Sequence, residues 1–491
     1  MKKILFWIDN TYVNFFLAKK IQDSLSAKSL HAIYEISDKP KSYFKNQKFV
    51  NFQSSYFYFD EFNDLKSEPD MEYLQSKENE YKINFMKLLL TDRHLYNFND
   101  FYNFSEKEVL RILEIEIKFY ESVLKNIKPD YVILTHVFLR NSYLFYLICK
   151  HHGIQILIPI PIRLANRCII SDDYNNFGYN QSENKNISED LELEKIREKF
   201  DLKNTTKDIS NRFLQSKKDL IKASSNFLLS PNSNVKSNYT HFGRNKINIL
   251  QNYLIDNIRT RIRKNFIDKN FDKEIPQNLK FIYFPLHVEQ EHTLLIYAPF
   301  YTNQLEFLKN VSKSLPINYK LIVKEHPGMY TRSWHSISFY KEIMKLPNTI
   351  LFHPDSDSDE LLKKCDLTIG IRGSTSFEAG YYNKPAIECV PTDYDFLPHI
   401  FKLQNIDELT DLIRKSLNQS FDNSEFVKYL NFLDNNSFEY EPDGLAQDVS
   451  DFFSYGGYLV NVEISQQKID EFYKQINSKI DVLSEQIIKK I

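Results

Sequence analysis

The stretch "DLTIGIRGSTSFEAGYYNKP", Asp366 to Pro385, decides how this chain of 491 residues is read. "DLTIGI" has the length and apolar character of a buried strand, and "STSFEAG" starts a helical pattern directly after Gly373. Three of the chain's ten glycines fall between Ile369 and Gly380. Average glycine usage is about 7%, so a chain this poor in glycine is expected to place each one where the backbone needs it. A strand that empties through Gly373 into a helix brings the hydroxyls of Ser374, Thr375 and Ser376, with free N–H groups, to one point. That is an anion-binding arrangement. Glu378, about one turn inside, could accept hydrogen bonds from sugar hydroxyls. A capped helix with Glu378 favouring the helix dipole is the plain alternative, but a cap uses one hydroxyl where three are present.

Outward from this stretch, the second half of the chain repeats the same alternation. "LKFIYFPL" (279–286), "YKLIVKEH" (319–326), "TILF" (349–352) and "PAIECV" (385–390) read as strands, with "DELLKKC" as a helix between them. The first half does likewise. "KILFWI" (3–8) is a strand leading to a helix through Phe15, Phe16 and Ile21. Ser105 and Glu108 form a capping box ahead of a long amphipathic helix, and "YVIL" (131–134), "SYLFYLICKHHG" and "IQILIP" (154–159) make a β-α-β unit. The expectation is an α/β protein with two Rossmann-like domains facing across a cleft, an inserted helical segment and a C-terminal helix. The boundaries read are 1–175, 176–275, 276–423 and 424–491. In such sheets ligands sit beyond the carboxyl ends of the strands.

Bulk composition narrows the function classes. Sixty-three basic against 65 acidic residues give a net charge of −2, which argues against a general nucleic-acid binder. Cys149, Cys168, Cys365 and Cys389 show no metal spacing and read as buried thiols in a reducing compartment. "MKKILFWIDN" holds too few apolar residues before Asp9 for a signal-peptide core, and the apolar region 131–162 is interrupted by His136, Arg140, Asn141 and Lys150. A cytoplasmic protein is expected, with room for a peripheral contact at the inner face of a membrane. "RTRIRK", with Arg259, Arg261, Arg263 and Lys264, is either a solvated helix face or a patch for anionic lipid or an anionic acceptor. Ile469, Phe472, Ile476, Ile480, Leu483, Ile487 and Ile491 form a stripe that docks on its own protein or pairs with a second copy.

Two further stretches carry chemistry. In "VKEHPGM" (323–329), Pro327 pushes His326 into an extended conformation at a strand exit, and Gly328 permits the turn, so Lys324 and His326 become phosphate ligands; an imidazolium there could ease departure of a phosphate. "FPLHVEQEH" leaves the first strand of the second half with His287, Glu289, Glu291 and His292. Their spacing matches no metal-ligand motif, and a carboxylate beside a sugar carbon is the better use. In the first half, Asp9 and Asn10 follow the first strand and could supply a general base, while Arg163 and Arg167 follow another and could meet a substrate carboxylate.

Taken in order, "FPLHVEQEHTLLIYAPFYTNQLEFL", "YKLIVKEHPGM" and "CDLTIGIRGSTSFEAGYYNKPAIE" resemble the capsule polysaccharide biosynthesis family that includes bacterial β-Kdo glycosyltransferases. The resemblance covers roughly residues 279–395 well and the first half in outline. It implies a GT-B fold, no cofactor, a CMP-activated sugar as donor substrate, and a glycan or lipid-linked glycan as acceptor. His326 of the His326-Pro327 pair and the Ser374–Ser376 loop would hold the nucleotide phosphate, beside Lys324, Gly373 and Glu378 as read from the residues themselves. Members resembling this chain show a Gln and, four residues on, an Asp implicated in catalysis. His287 and Glu291 hold those positions here and depart from the pattern. The resemblance therefore implies Glu291, His326 and His287 as catalytic residues of a transferase for an acidic keto sugar. A UDP-sugar transferase, a UDP-N-acetylglucosamine 2-epimerase-like enzyme and a non-catalytic scaffold of a polysaccharide assembly complex are the rivals.

Overall fold

The computed structural model describes residues 2–25, 29–180, 216–230 and 238–491. Two sheets organise them. The first is built from β1 (Lys3–Ile8), β2 (Ser29–Tyr34), β3 (Ser54–Phe57), β4 (Tyr131–Ile133), β5 (Gln155–Pro161) and β6 (Arg167–Ser171). The second contains β7 (Phe281–Pro285), β8 (Lys320–Lys324), β9 (Thr349–Phe352), β10 (Leu367–Gly370), β11 (Ala386–Glu388) and β12 (Ile400–Lys402). A last short strand, β13 (Phe438–Glu439), returns to the first sheet.

The strand order is β13-β6-β5-β4-β1-β2-β3 in the first sheet and β12-β11-β10-β7-β8-β9 in the second. All pairs in the second sheet are parallel, with Ile282 of β7 lying between Leu321 and Leu367. In the first sheet β5 to β3 are parallel, and only the β6 and β13 edge runs antiparallel. Helices cover both faces, which is why β1 reads as an unbroken apolar run and buries Ile4 to Ile8 without alternation. Each sheet reverses its winding direction once: between β1 and β4 in the first, between β7 and β10 in the second. Those reversals are where open parallel sheets leave a crevice at their carboxyl ends.

The capping box at Ser105 forms as the sequence predicts and opens the helix Glu106–Ile127. Its inward face buries Ile112, Leu113, Ile117, Tyr120 and Val123, and also Glu116. That buried carboxylate is neutralised by an ion pair with Arg140, whose Nε also donates to Asp92 at 2.6 Å. Tyr58 and Tyr239 donate to the same Glu116 oxygen. Tyr239 comes from the connecting segment, so this network fastens the connector to the first domain.

The helix Lys246–Asn270 then runs from the first domain to the second. Near its start Arg244 lies 4.6 Å over the Phe101 ring, and near its end Ile267 and Phe271 enter the second core. The last segment divides between the sheets. The helix Ser424–Asn436 packs Phe426, Tyr429 and Leu433 against the second domain, after which β13 and the helices Pro442–Phe453, Gln466–Gln475 and Asn477–Lys490 cover the first. The stripe Ile469, Phe472, Ile476, Ile480, Leu483 and Ile487 is at most 1% exposed and lies in the first-domain core. Burial of each such side chain is worth about 1.5–3 kcal/mol. The stripe is therefore consumed within the chain, and the expected pairing with a second copy through it loses the face from which it was read. All four cysteines are buried free thiols. No helix among the described residues is long and apolar enough to cross a membrane.

Candidate active site in the interdomain cleft

A cavity of about 690 Å³ opens between the carboxyl edges of the two sheets, where both reversals point. From the first sheet, Asp9 follows β1 and His136 follows β4. Asp9 accepts hydrogen bonds from the Thr11 backbone at 2.8 Å and from the Thr11 hydroxyl at 2.5 Å, and its other oxygen lies 3.3 Å from His136 Nε2. The His136 ring stacks at 4.7 Å on Phe138, and Phe138 stacks at 3.9 Å on His292 of the second domain. Burial, then the nearby Arg372 and His136, lowers the His292 pKa to about 3, so this ring is a neutral wall.

From the second sheet, Glu291 leaves β7 on a turn fixed by its own backbone. Its N–H donates to Val288 O, and its carbonyl accepts from Leu294 and Leu295. The carboxylate itself makes no hydrogen bond or ion pair among the described residues and lines the cavity. Surrounding protein raises its pKa, Asp443 adds to that, and Arg332 and Arg93 oppose it. Arg93 belongs to the first domain, on a widened helical turn, Arg93–Asn97, whose N–H groups are capped by the buried Asp92. Arg332 follows the His-Pro turn of the second. Burial and the charge of Arg332 work against the Arg93 guanidinium, and Asp92, Glu291 and Glu35 favour it.

Two other arginines hold the cleft together. Arg372 lies 4.3 Å over the Tyr297 ring and donates to Pro391 O and, at 2.8 Å, to Asn175 of the first domain. Arg163 donates to Asp393 at 2.7 Å and lies 4.4 Å over Tyr394. Arg163 thus lines the cavity, as do Asp9 and Asn10, but its charge is already matched across the domains. Arg167 does not reach the cleft. It opens β6 and holds the returning chain through Ser437 and the Asp434 carbonyl.

Between β10 and the helix Ser374–Ala379, Gly373 and Ser374 line the cavity. Gly373 is extended at φ −177°, which any residue adopts, so its need is space: a Cβ there would sit 3.1 Å from His287 Cε1. The same holds for Gly370 against Ser376 Oγ at 2.9 Å and Gly380 against His399 at 2.8 Å. The glycines expected to turn the chain are there for close approach. The N-cap position of this six-residue helix is Gly373, which has no side chain to cap it. Ser376 turns inward, buried beside Gly370 and Glu388, and Thr375 and Glu378 are not part of the cavity wall.

The His-Pro stretch lies one strand further along, and His287 stands between. The side chain of Gln304 bonds both the N–H and the carbonyl of His287, at 2.7 and 3.0 Å. His287 Nε2 accepts the Ile371 N–H at 3.4 Å, and burial with His326 nearby lowers its pKa to about 3. His287 is therefore a neutral prop under the glycine loop, not a group on the cavity wall. His326 Nδ1 accepts the Gly328 N–H at 3.0 Å, which leaves Nε2–H as the only donor of a neutral ring. The expected imidazolium is corrected on this ground. Gly328 has no positive φ; a Cβ there would press to 2.9 Å from His326 Nδ1. Pro327 starts the short helical turn Pro327–Arg332 that delivers Arg332. Lys324 is buried, and burial lowers its pKa to about 8 against the pull of Asp355, Glu325 and Asp357. His326, Pro327, Lys324 and His287 thus back the site without lining it.

Sequence reasoning did not single out Arg93, Tyr297, Arg372 or Asp443, and met His136 only as a break in an apolar run. The wall places all five in the cavity. Arg372 was within reach, since it sits inside the quoted glycine stretch.

No curated protein matches this chain. Among solved structures, the chain shares 11% identity and a TM-score of 0.30 with KpsC, a β-Kdo 2,7-transferase of Thermosulfurimonas dismutans, over 64% of this chain and 89% of that one. S. aureus MnaA, solved with UDP, gives 12%, 0.25, 95% and 99% in the same order. UDP-GlcNAc 2-epimerase of Methanocaldococcus jannaschii, in complex with UDP-GlcNAc and UDP, gives 12%, 0.28, 88% and 99%. Likenesses of this size bear on no single residue. The family described as capsule polysaccharide biosynthesis protein matches residues 187–392, a span that holds Glu291, His326 and the Gly373 loop, and it is this family that the motifs of the chain resemble.

Proposed function

We propose that the chain is a glycosyltransferase of capsule or surface polysaccharide assembly, transferring an acidic keto sugar, Kdo or a related nonulosonate, from a CMP-activated donor to a glycan or glycolipid acceptor. The observation that carries this reading is the unpartnered Glu291 carboxylate, which lines the interdomain cleft together with Arg93 and the Gly373–Ser374 turn. The family match over residues 187–392 supports it.

In this reading the bond between the anomeric carbon and the phosphate oxygen breaks, and CMP leaves with the electron pair. Glu291 faces the positive charge that develops at that carbon, as nucleophile or as electrostatic partner. The N–H groups after Gly373, and the Ser374 hydroxyl, balance the departing phosphate. Arg93, on the cavity wall, receives the sugar carboxylate. The acceptor hydroxyl forms the new bond and yields its proton to the Asp9–His136 pair on the opposite wall.

The test is CMP release from CMP-Kdo and other CMP-nonulosonates, with and without a glycan acceptor. Stimulation by acceptor, lost in Glu291→Gln, is the expected result. Stronger thermal stabilisation by UDP than by CMP would turn the reading towards a UDP-sugar enzyme. Normal polysaccharide in cells carrying Glu291→Gln would turn it towards a scaffold.

A further inference from the structure

The helix Lys246–Asn270 is built the wrong way round for a helix that serves only its own protein. Ile247, Leu250, Leu254, Ile258 and Ile262 recur at steps of three and four, which places them on one face. That face looks outward: Leu254 is 61% and Ile258 58% exposed, and Ile267 is the helix's only fully buried residue. The neighbouring helix, Lys217–Leu229, does the same with Ile221, Leu228 and Leu229, the last 86% exposed. Lys246 ties the two together by donating to Leu228 O at 2.8 Å. That contact brings the end of one exposed aliphatic stripe to the start of the other.

Charge distinguishes what this surface fits. The two helices carry nine Lys and Arg against three Asp, in a chain whose net charge is −2. Asp256 and Asp268 are engaged by Arg259 and Lys264. Lys217, Lys218, Lys222, Arg261 and Lys269 make no ion pair among the described residues, so the uncompensated charge beside the apolar stripes is positive. An aliphatic face with basic neighbours is the composition of a helix that lies in the headgroup layer of an anionic bilayer. A protein partner or a second copy would have to match both the apolar stripe and this excess of cations; an anionic lipid surface supplies both matches at once.

The position of the longer helix adds a consequence. It is anchored in the first domain around Arg244 and in the second through Arg263, which donates to the Ser333 and Trp334 carbonyls at 2.9 and 2.8 Å. We propose that these two helices form a membrane-docking face that seats the chain on an anionic lipid surface and holds both domains to it. Vesicle binding needs no sugar donor, so its failure is separable from that of the proposed transfer reaction.

The experiment is flotation of the full chain with phosphatidylcholine vesicles, with or without a third of phosphatidylglycerol. Wild type is expected to float with the anionic vesicles and to be released progressively by salt. Leu254→Asp with Ile258→Asp should lower partitioning more than about tenfold, and Arg261→Ala about fivefold. Both sites are exposed, so melting temperature should not change; should the aspartate pair lower it, Arg261→Ala decides. Absence of wild-type flotation, flotation indifferent to phosphatidylglycerol, or a lipid-free dimer that the aspartate pair converts to monomer would each overturn the proposal.

Discussion

The two sheets reverse direction at equivalent places and make opposite use of them. In the first, the crevice between β1 and β4 holds a polar pair, Asp9 and His136, both on the cavity wall. In the second, the crevice between β7 and β10 is filled by the neutral His287, clamped by Gln304 and pressed under Gly373. One reversal is left open for chemistry; the other is plugged so that the loop above it, and Glu291 beside it, hold still. Equivalent topology thus fixes where a site can be, and the residues at the reversal decide which side reacts and which side supports.

The strongest way to break this contrast is Glu291→Gln. Transfer should fall about 10²–10³-fold, with melting temperature unchanged, because the exposed carboxylate has no partner to lose. Initial-rate measurements and a melting curve check both halves. Asp9→Asn comes next: a rate loss of about a hundredfold, the lower end for a general base, against a stability cost below about 1 kcal/mol for a part-exposed contact with His136.

The supporting side should respond in the reverse proportion. Gly373→Ala drives a Cβ to 3.1 Å from His287 and should cost about 1–3 kcal/mol in urea unfolding, with part of that cost recovered in Gly373→Ala/His287→Ala. Additive losses in the double variant would show that His287 is not the plug. The smallest effect is a pH dependence behind the His-Pro turn. Burial pulls the His335 pKa down, but Glu325 and Glu289 outweigh it and lift it from 6.5 to about 9. Its contribution is fully present below pH 6.5 and is lost as pH rises through about 9. His335→Gln should flatten the fall in melting temperature between pH 6.5 and 9.5.

Much of the site's address was legible in the sequence. Strand exits read from apolar runs put Asp9, Asn10, Arg163, Glu291 and Gly373 near one cleft, because β-α-β connections leave little choice of where carboxyl ends face. What periodicity does not encode is which exits turn inward. Ser376 sits in the same loop as Ser374 but buries against Glu388, and Lys324 continues an apolar strand into the core. Arg93 was invisible for another reason: it stands on a helical turn held by the buried Asp92–Arg140–Glu116 network, which exists only once three distant segments meet. Arg167 was misplaced because the antiparallel β6 and β13 edge depends on pairing between residues 168 and 438.

That late pairing has a consequence for how the molecule is made. The face of the first sheet that carries Phe16 is closed by Phe472, whose ring lies 5.5 Å away in space and 456 positions later in the chain. An emerging polypeptide therefore carries an unsealed aromatic surface while the entire second sheet is being synthesised. Contacts of such span slow folding and lengthen the period in which exposed strands and rings invite aggregation, so the amino-terminal half is the part most in need of chaperone cover during translation.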